Sequence, residues 1–515
     1  MRRSLIQLIE RDILLSLRSA TIRTLLPLGV YAALYPWLLR EMGPRVLGLW
    51  SLFASVPAMA GLVDFGIPQL LSRSGHWRGA ASLAKVRWID VRGAELLYVL
   101  IGVLFAATAH VTIYFAFPDI EIGDYSAGRL VFNSWLVGLG LAALLIARLH
   151  GAILASCHEN HAVHFGFALQ PAITAGCTAL GLLAHRPIEG FALGMFLSSL
   201  HLRWWFLRRW TGDESAPTVS LRSAIARLRT RIRQGRGLYW ANAALAAREP
   251  LLRAAIAAIG GLSAAAAYEI ASRVTRVARD MAGAPFASLL TGFSSLWAGN
   301  EQGHIIRLSL ISLATMVTVG GGFLVLATGG ISVAGASWLG VPPPGVVPAT
   351  ALLSAWHLLT LFNVPYWHLL LATKQEVVAL RAVMFHTGAL IVAVPVLAWT
   401  DSGLTATLAF WLVASIATQH FIFRAASRTL GVRYASLFGT ALAWPLLVLA
   451  VFTLSTAVVA NLLSTRPLAG VLSLVALGAL YFYIQHLTLK RIDRHPALLG
   501  SARNAPDAYT KQNDD

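Results

Sequence analysis

The chain is dominated by apolar stretches that recur along most of its length, each near the length of a membrane-spanning helix. Reading windows of about 19 residues predicts fourteen spans, because about 20 apolar residues cross a hydrocarbon core as an α-helix. The spans cover residues 21–39, 46–70, 93–117, 130–149, 163–183, 190–207, 238–259, 263–296, 307–328, 347–372, 382–399, 404–423, 435–456 and 468–488. The pattern predicts an all-α polytopic membrane protein.

Composition and charge support this fold class and orient the chain. Of its 515 residues, 57% are hydrophobic and 12% charged, whereas soluble domains carry about 25% charged residues. On the predicted map, 31 of the 41 Lys and Arg lie on the side shared by both termini. Since basic loops stay cytoplasmic, both termini and the basic segment 208–237 are predicted to be cytoplasmic, and loop 118–129 and segment 329–346 external. Segment 208–237 lacks interleaved aromatic residues for base stacking, so no nucleic-acid partner is expected.

A weak internal repeat divides the predicted spans into two groups. Residues 154–159 align with residues 371–376 at an offset of 217, with the shared pattern L-A-(S/T)-x-x-E. Spans 1–6 and 7–12 run in the same directions, which describes two parallel-related six-helix bundles around a central cavity. The predicted organisation is an amphipathic N-terminal segment (1–20), a six-helix bundle (21–207), a basic linker (208–237), a second six-helix bundle (238–423), two additional helices (424–488) and a polar cytoplasmic tail (489–515).

Two adjacent predicted spans are unusually rich in charge. The charged positions are Arg248, Glu249 and Arg253 in span 238–259, and Glu269, Arg273, Arg276, Arg279 and Asp280 in span 263–296. Charged side chains within spans are costly and usually face a hydrated cavity. Five arginines against three acids leave a positive surplus, and guanidinium groups bind phosphate oxygens in bidentate fashion. Arg248, Arg253, Arg273 and Arg276 are therefore the candidate residues for binding a diphosphate in the central cavity.

The acidic residues allow two interpretations. Glu249, Glu269 and Asp280 stand four residues from Arg253, Arg273 and Arg276, so these charges could neutralise one another along each helix. They are also candidates for ion coupling or gating, together with Asp64, the one acid of span 46–70. A buried acid can exchange a proton or bind Na⁺. The alternative for Asp64 is a contact with Arg73 or with another arginine at the cytoplasmic end.

The other motifs mostly argue against a metal site and against enzymatic chemistry. Asn363-Val364-Pro365 predicts either a helix break that exposes backbone carbonyls or a simple packing kink. The string His158-Glu159-Asn160-His161 lacks the H-E-x-x-H spacing of a zinc site, so no metal is expected. Neither a Walker A loop nor a G-x-S-x-G motif occurs, and no cofactor or catalytic residue is predicted.

Two predicted spans contain short strings with a distinctive pattern. Span 46–70 contains Leu49-Trp50-Ser51-Leu52 and Leu62-Val63-Asp64-Phe65-Gly66-Ile67, followed by Arg73, and span 263–296 contains Tyr268-Glu269-Ile270-Ala271-Ser272-Arg273. The first set resembles the second-helix pattern, and the second the eighth helix, of the Wzx-type polysaccharide flippases of the multidrug/oligosaccharidyl-lipid/polysaccharide (MOP) exporter superfamily. The likeness covers most of the chain in layout, through short and degenerate motifs.

The resemblance implies a function at the bacterial inner membrane. Such proteins move polyprenyl (undecaprenyl)-diphosphate-linked oligosaccharides to the outer leaflet by alternating access, for O-antigen or exopolysaccharide biosynthesis. H⁺ and Na⁺ are then candidate coupling ions, and a polysaccharide polymerase and chain-length proteins are candidate partners. Two alternatives stay open: an exporter of small cationic or amphiphilic molecules on the same fold, and a membrane-embedded polysaccharide polymerase or ligase. The short predicted external connections disfavour the polymerase or ligase, because such enzymes usually carry a large external loop.

Overall fold

The computed structural model describes the chain with several gaps. The described residues are 2–65, 67–68, 80–116, 125–156, 160–209, 226, 229–230, 233, 236–283, 286, 289–373, 375–400, 403–431, 442–463 and 465–494. Gly66, Arg73 and the pair His158-Glu159 lie outside them, as do most of the basic linker and residues 495–515 of the tail. Within these ranges the chain is α-helical and forms no β-strand.

The described residues form fifteen α-helices. In chain order they are α1 (Arg2–Ala54), α2 (Val56–Val63), α3 (Ala80–Ala116), α4 (Ala127–Ser156), α5 (Asn160–Leu183), α6 (Pro187–Arg209), α7 (Arg236–Gly283), α8 (Leu289–Ala298), α9 (Gln302–Thr315), α10 (Gly321–Leu339), α11 (Val346–Ala372), α12 (Glu376–Trp399), α13 (Gly403–Leu430), α14 (Ala443–Leu462) and α15 (Pro467–Arg494). A π-helical turn, Met316–Gly320, joins α9 to α10. In this turn the hydroxyl of Tyr481 donates to the carbonyl of Thr318 at 2.7 Å.

Length and apolar composition identify ten stretches of the described helices that could cross a membrane. Many large apolar side chains on these helices are exposed, including Phe115 at 74% and Val392 at 76%. An apolar surface of this kind suits contact with lipid. The prediction of an all-α, multi-pass membrane protein is confirmed. Residues 21–39 and 190–207 are helical but are not among the ten stretches, so the predicted count of fourteen spans stays a prediction.

The chain divides into two compact units. Unit 1 contains Met1–Ile270 and Val396–Leu404, and unit 2 contains Ala271–Pro395 and Thr405–Asp515. The core of unit 1 packs residues of α2, α3, α4 and α6, among them the fully buried Tyr98 and Phe206. The core of unit 2 centres on residues of α8 to α11, α13, α14 and α15, among them Phe293 and Tyr366. The predicted bundle boundaries, 21–207 and 238–423, remain predictions.

Two of the long helices each contain a glycine at which the chain reverses. In α1, Gly43 has φ 67° and ψ 171°, a conformation that glycine adopts without steric cost. The rings of Tyr35 and Trp50 lie 6.0 Å apart, although an uninterrupted helix would separate these residues by about 22 Å. In α7, Gly261 has nearly the same conformation, φ 74° and ψ −179°. Each of these helices is therefore a hairpin of two helical segments.

Two predicted spans are wrong as continuous helices. In span 46–70, α1 stops at Ala54, and α2 begins with Pro57 in its first turn, where a missing N–H costs little. Helix α2 ends at Val63, and Phe65, after the C-cap residue Asp64, takes a positive φ of 54°. In span 263–296, α7 ends at Gly283 and α8 begins at Leu289.

Of the two predictions for Asn363-Val364-Pro365, the helix break is wrong. Helix α11 runs continuously from Val346 to Ala372, with Pro365 inside it. Pro365 lacks the N–H that would bond the carbonyl of Leu361 one turn earlier. Nearby, the side-chain amide of Gln419 donates to the carbonyl of Leu359 at 2.7 Å. The motif exposes no unwound segment of backbone.

Candidate functional site

A buried ion pair in unit 1 joins Arg253 to Glu269. Their side chains are 3% and 0% exposed, and Nη2 of Arg253 lies 2.5 Å from Oε2 of Glu269. The two residues flank the reversal at Gly261, which folds the second segment of α7 back along the first. Without the reversal, 16 residues of helix would separate them by about 24 Å. The reversal at Gly261 thus brings one candidate arginine to one candidate acid.

Two residues of α1 complete this contact. The hydroxyl of Tyr35 donates to Oε1 of Glu269 at 2.7 Å, so both carboxylate oxygens are bonded. Nη1 of Arg253 donates to the backbone carbonyl of Ser51 at 3.0 Å. Tyr35 precedes Gly43 and Ser51 follows it, so each residue comes from a different helical segment. We call Tyr35, Ser51, Arg253 and Glu269 the four-residue junction.

The junction has an internal two-fold relation. Tyr35 and Arg253 are 218 residues apart, as are Ser51 and Glu269, and as are the reversal glycines Gly43 and Gly261. Adding the offset to Tyr35 gives Arg253, and subtracting it from Glu269 gives Ser51. The offset therefore converts the Tyr35–Glu269 contact into the Arg253–Ser51 contact. The value is within one residue of the offset of 217 between the repeated strings. The chain therefore repeats at the level of contacts as well as of sequence.

The remaining charged candidates of α7 are less buried than the junction. Arg248 and Glu249 in unit 1 are partly buried, and both make further interactions. In unit 2, Arg273 and Arg276 are also partly buried and also interact with other groups. Asp280 is exposed, and one of its carboxylate oxygens lies 2.8 Å from Nη2 of Arg279. The structure brings Arg253 to Glu269, a pairing that the spacing of four residues did not predict.

Asp64 occupies a separate site in unit 1. Its side chain is fully buried, and Oδ2 lies 3.5 Å from Nη2 of Arg148 on α4. Its backbone carbonyl accepts a hydrogen bond from Tyr98 at 2.9 Å, and Phe65 beside it stacks on Tyr239 at 5.1 Å. Asp64 therefore contacts an arginine near the predicted cytoplasmic end, as one of its two interpretations expected. That arginine is Arg148. Arg73, the other arginine considered, lies outside the described residues.

Sequence reasoning overlooked one further charged group in unit 1. Oε1 of Glu95 on α3 lies 3.2 Å from Nε2 of His150 on α4 and 3.8 Å from Nη2 of Arg203 on α6. His150 is 1% exposed. Each residue lies at the end of a predicted span, where a polar side chain is usually interpreted as marking the membrane boundary. All three lie at predicted cytoplasmic ends, and this shared position could have indicated that they meet.

Tyr35 and Ser51 were overlooked as members of the main site because neither carries a charge. The sequence contained a signal for both. Shifting Arg253 and Glu269 back by the repeat offset of 217 gives positions 36 and 52, one residue from Tyr35 and Ser51. A repeat in sequence therefore indicates which uncharged residues can meet a charged pair.

Comparisons with known proteins identify the fold. No protein-family model matches the sequence, and no curated protein matches it significantly. Among solved structures, the chain is similar to an inward-facing multidrug resistance MATE family transporter of the MOP superfamily, with 13% identity and a TM-score of 0.55 over 80% of this chain and 99% of that chain. It is also similar to MATE in the bent conformation, with 14% identity and a TM-score of 0.52 over 82% of this chain and 97% of that chain. The protein therefore has the fold of these MOP-superfamily transporters.

Proposed function

We propose that the protein is a flippase that moves a polyprenyl-diphosphate-linked oligosaccharide across the bacterial inner membrane for surface polysaccharide biosynthesis. Its multi-pass helical architecture and its fold, which solved transporters share, support a transport function. Transport by alternating access needs no cofactor and no catalytic residue. The part of the proposal that concerns the cargo rests on the charge of α7.

The observation that carries the cargo assignment is the arginine surplus of α7. This helix has five arginines and three acids between Arg248 and Asp280. Arg253 and Glu269 neutralise each other inside the junction, as do Arg279 and Asp280 outside it. In unit 1, Arg248 and Glu249 carry opposite formal charges, and in unit 2 Arg273 and Arg276 add two positive charges; all four are partly buried. A diphosphate suits this charge, because each guanidinium can present two N–H donors to its oxygens.

The junction suits a gating role in the same cycle. It joins four helical segments through two buried charges, and separating Arg253 from Glu269 leaves both charges in need of new partners. Cargo and coupling ions could supply them, since a diphosphate pairs with an arginine and H⁺ or Na⁺ with a carboxylate. We propose Glu269 as a coupling candidate on this ground. Asp64, Glu249 and Asp280 remain further candidates for this role.

A second candidate function is the export of small cationic or amphiphilic molecules. The solved structure with the TM-score of 0.55 is described as a multidrug resistance transporter, and the shared fold supports this function equally well. A cationic cargo requires acids at the binding site, whereas α7 is rich in arginine. The charge of α7 therefore favours an anionic cargo, and a transport assay must decide.

The test is transport of a fluorescent polyprenyl-diphosphate oligosaccharide by the purified protein in proteoliposomes. Arg273→Gln removes one charge and keeps much of the side-chain volume. We expect transport to fall about 10- to 100-fold, the range for losing a hydrogen bond to a charged group. Arg273→Lys should restore transport partly, because an ammonium group lacks the planar fork.

The matched control is Arg229→Gln, which removes an exposed arginine of the predicted cytoplasmic linker and should leave transport unchanged. Normal transport by all four single variants, Arg248→Gln, Arg253→Gln, Arg273→Gln and Arg276→Gln, at normal membrane levels would refute the diphosphate site. Uptake or efflux of ethidium by the wild type, without transport of the lipid-linked sugar, would establish the second candidate function instead.

A further inference from the structure

A basic groove in unit 2 lies between α12 and α13 and is not part of the site proposed for the cargo. It has a volume of about 620 Å³. Arg381, Arg424 and Arg428 line it, together with Phe385 and Phe421, and its lining contains no acidic residue. The three arginines are exposed, and none forms an ion pair with a residue that the structure describes. The groove therefore concentrates three positive charges that face an accessible space.

The lining residues have a regular arrangement along both helices. Arg381 and Phe385 are one turn apart on α12, while Phe421, Arg424 and Arg428 occupy successive turns of α13. The hydroxyl of Thr429 donates to Oε1 of Gln375 at 3.2 Å and connects the ends of the two helices beside the arginines. This contact fixes the end of the groove at which the charges lie.

The aromatic residues lie deeper along the helices than the arginines. The rings of Phe385 and Phe421 meet at 5.5 Å in an edge-to-face contact and are 47% and 49% exposed. Phe421 is three residues from Arg424 and seven from Arg428, or about 4.5 and 10 Å along the helix axis. The groove thus changes from cationic to apolar within about the depth of a lipid headgroup region.

The arginines lie at the ends of α12 and α13 that the charge pattern predicts to be cytoplasmic. The cytoplasmic leaflet contains the anionic lipids of the membrane, and basic pockets between helices at this depth bind their headgroups. Arginine suits a phosphodiester because its planar fork matches the phosphate oxygens. The aromatic pair suits the first methylene groups of an acyl chain.

We propose that this groove is a binding site for an anionic phospholipid of the cytoplasmic leaflet, with the phosphate on Arg381, Arg424 and Arg428 and an acyl chain on Phe385 and Phe421. The proposal does not depend on the identity of the cargo. The occupant is a membrane lipid with one phosphodiester, for which phosphatidylglycerol is the probe.

The experiment measures lipid retention by native mass spectrometry of the full-length protein titrated with phosphatidylglycerol or with phosphatidylcholine of the same acyl chains. Wild type should prefer phosphatidylglycerol, and high salt should weaken that preference. The variant R381Q/R424Q/R428Q should lose on the order of 100-fold in affinity for phosphatidylglycerol, since each basic residue near an anionic headgroup contributes about fivefold. The variant F385A/F421A should weaken the retention of both lipids.

The matched control, R229Q/R233Q/R307Q, removes three exposed arginines of the predicted cytoplasmic face outside the groove and should retain wild-type affinity. Equal affinity of the wild type for both lipids, or wild-type affinity in R381Q/R424Q/R428Q, would overturn the proposal. A variant that lost polyprenyl diphosphate but kept phosphatidylglycerol would also overturn it and make the groove a cargo site. If the triple variant aggregates, the salt dependence of the wild-type preference provides the same decision.

Discussion

At the residue scale, the structure separates two roles that the sequence assigned jointly to the arginines of α7. Arg253 is buried and bonded to Glu269 and to the carbonyl of Ser51. Arg273 and Arg276 are partly buried and lie in the other unit. Arg253 is therefore expected to affect folding as well as transport, whereas Arg273 is the better probe of transport alone.

The buried pair gives a prediction about stability. Arg253→Gln or Glu269→Gln alone leaves an uncompensated buried charge and should destabilise the protein by about 3–5 kcal/mol. The double variant R253Q/E269Q leaves no such charge, and its two amides can bond to each other. It should therefore be more stable than either single variant. Thermal unfolding of the purified proteins in one detergent measures the effect.

Tyr35→Phe is the control within the same junction. It removes one hydrogen bond to the carboxylate and keeps the ring, so it should cost about 1.5–3 kcal/mol, less than the loss of either charge. If R253Q and E269Q were each as stable as wild type, the pair would contribute nothing to folding. A double variant less stable than both single variants would exclude mutual neutralisation as its role.

The sequence located the charged residues of the site but not their partners. Arg253 and Glu269 stood out because charged residues are rare in spans. Their contact depends on how two antiparallel segments rotate about their axes, which helical periodicity within one segment does not determine. For Tyr35 the only signal was the repeat offset, since a tyrosine in an apolar span usually reads as core.

At the element scale, close helix packing in unit 1 depends on small residues. Helices α3 and α4 approach each other at Gly102 and Gly138. A methyl group added at Gly138 would lie 2.6 Å from the carbonyl oxygen of Gly102 and 2.8 Å from Cβ of Ala106. In lipid, close contact of backbones through small residues is a main source of helix association. Even a single methyl group added at this contact is therefore expected to disturb the packing of α3 against α4.

The variant Gly138→Ala tests this packing. It should force α3 and α4 apart and destabilise the protein by about 1–3 kcal/mol, the usual cost of overpacking. Gly128→Ala is the matched control on the same helix, because an added methyl group there meets no atom within 4 Å. The control should be neutral or slightly stabilising, since alanine favours helix. Equal thermal midpoints for the two variants would contradict the close contact.

Helices were easier to predict than their interruptions. Each predicted span after residue 70 coincides with at least one observed helix, because long apolar runs have few alternatives in a bilayer. Two prolines within the predicted spans have different outcomes. Pro57 accompanies a break, whereas Pro365 lies within a continuous helix. Both lie in apolar runs, so the local pattern does not distinguish them.

At the scale of the whole molecule, orientation in the membrane stays a prediction from the distribution of basic residues. Both termini and segment 208–237 should be cytoplasmic, and segments 118–129 and 329–346 external, because basic loops resist translocation. In a variant with Cys157 and Cys177 replaced by serine, Gly123→Cys should react with an impermeant maleimide added to intact cells. Ile225→Cys should react only after the cells are opened. The opposite result would invert the map.

The π-helical turn at Met316–Gly320 affects how this chain should be aligned with others. A π turn holds one residue more than an α turn, and one residue corresponds to about 100° of rotation around a helix axis. Consider an alignment without a gap through positions 316–320 to a chain that has a regular helix there. It would match each residue of α10 to a residue that lies about 100° away around the helix of the other chain. Substitution patterns inferred for α10 would then mix lipid-facing and buried positions. A one-residue gap at this turn restores the register.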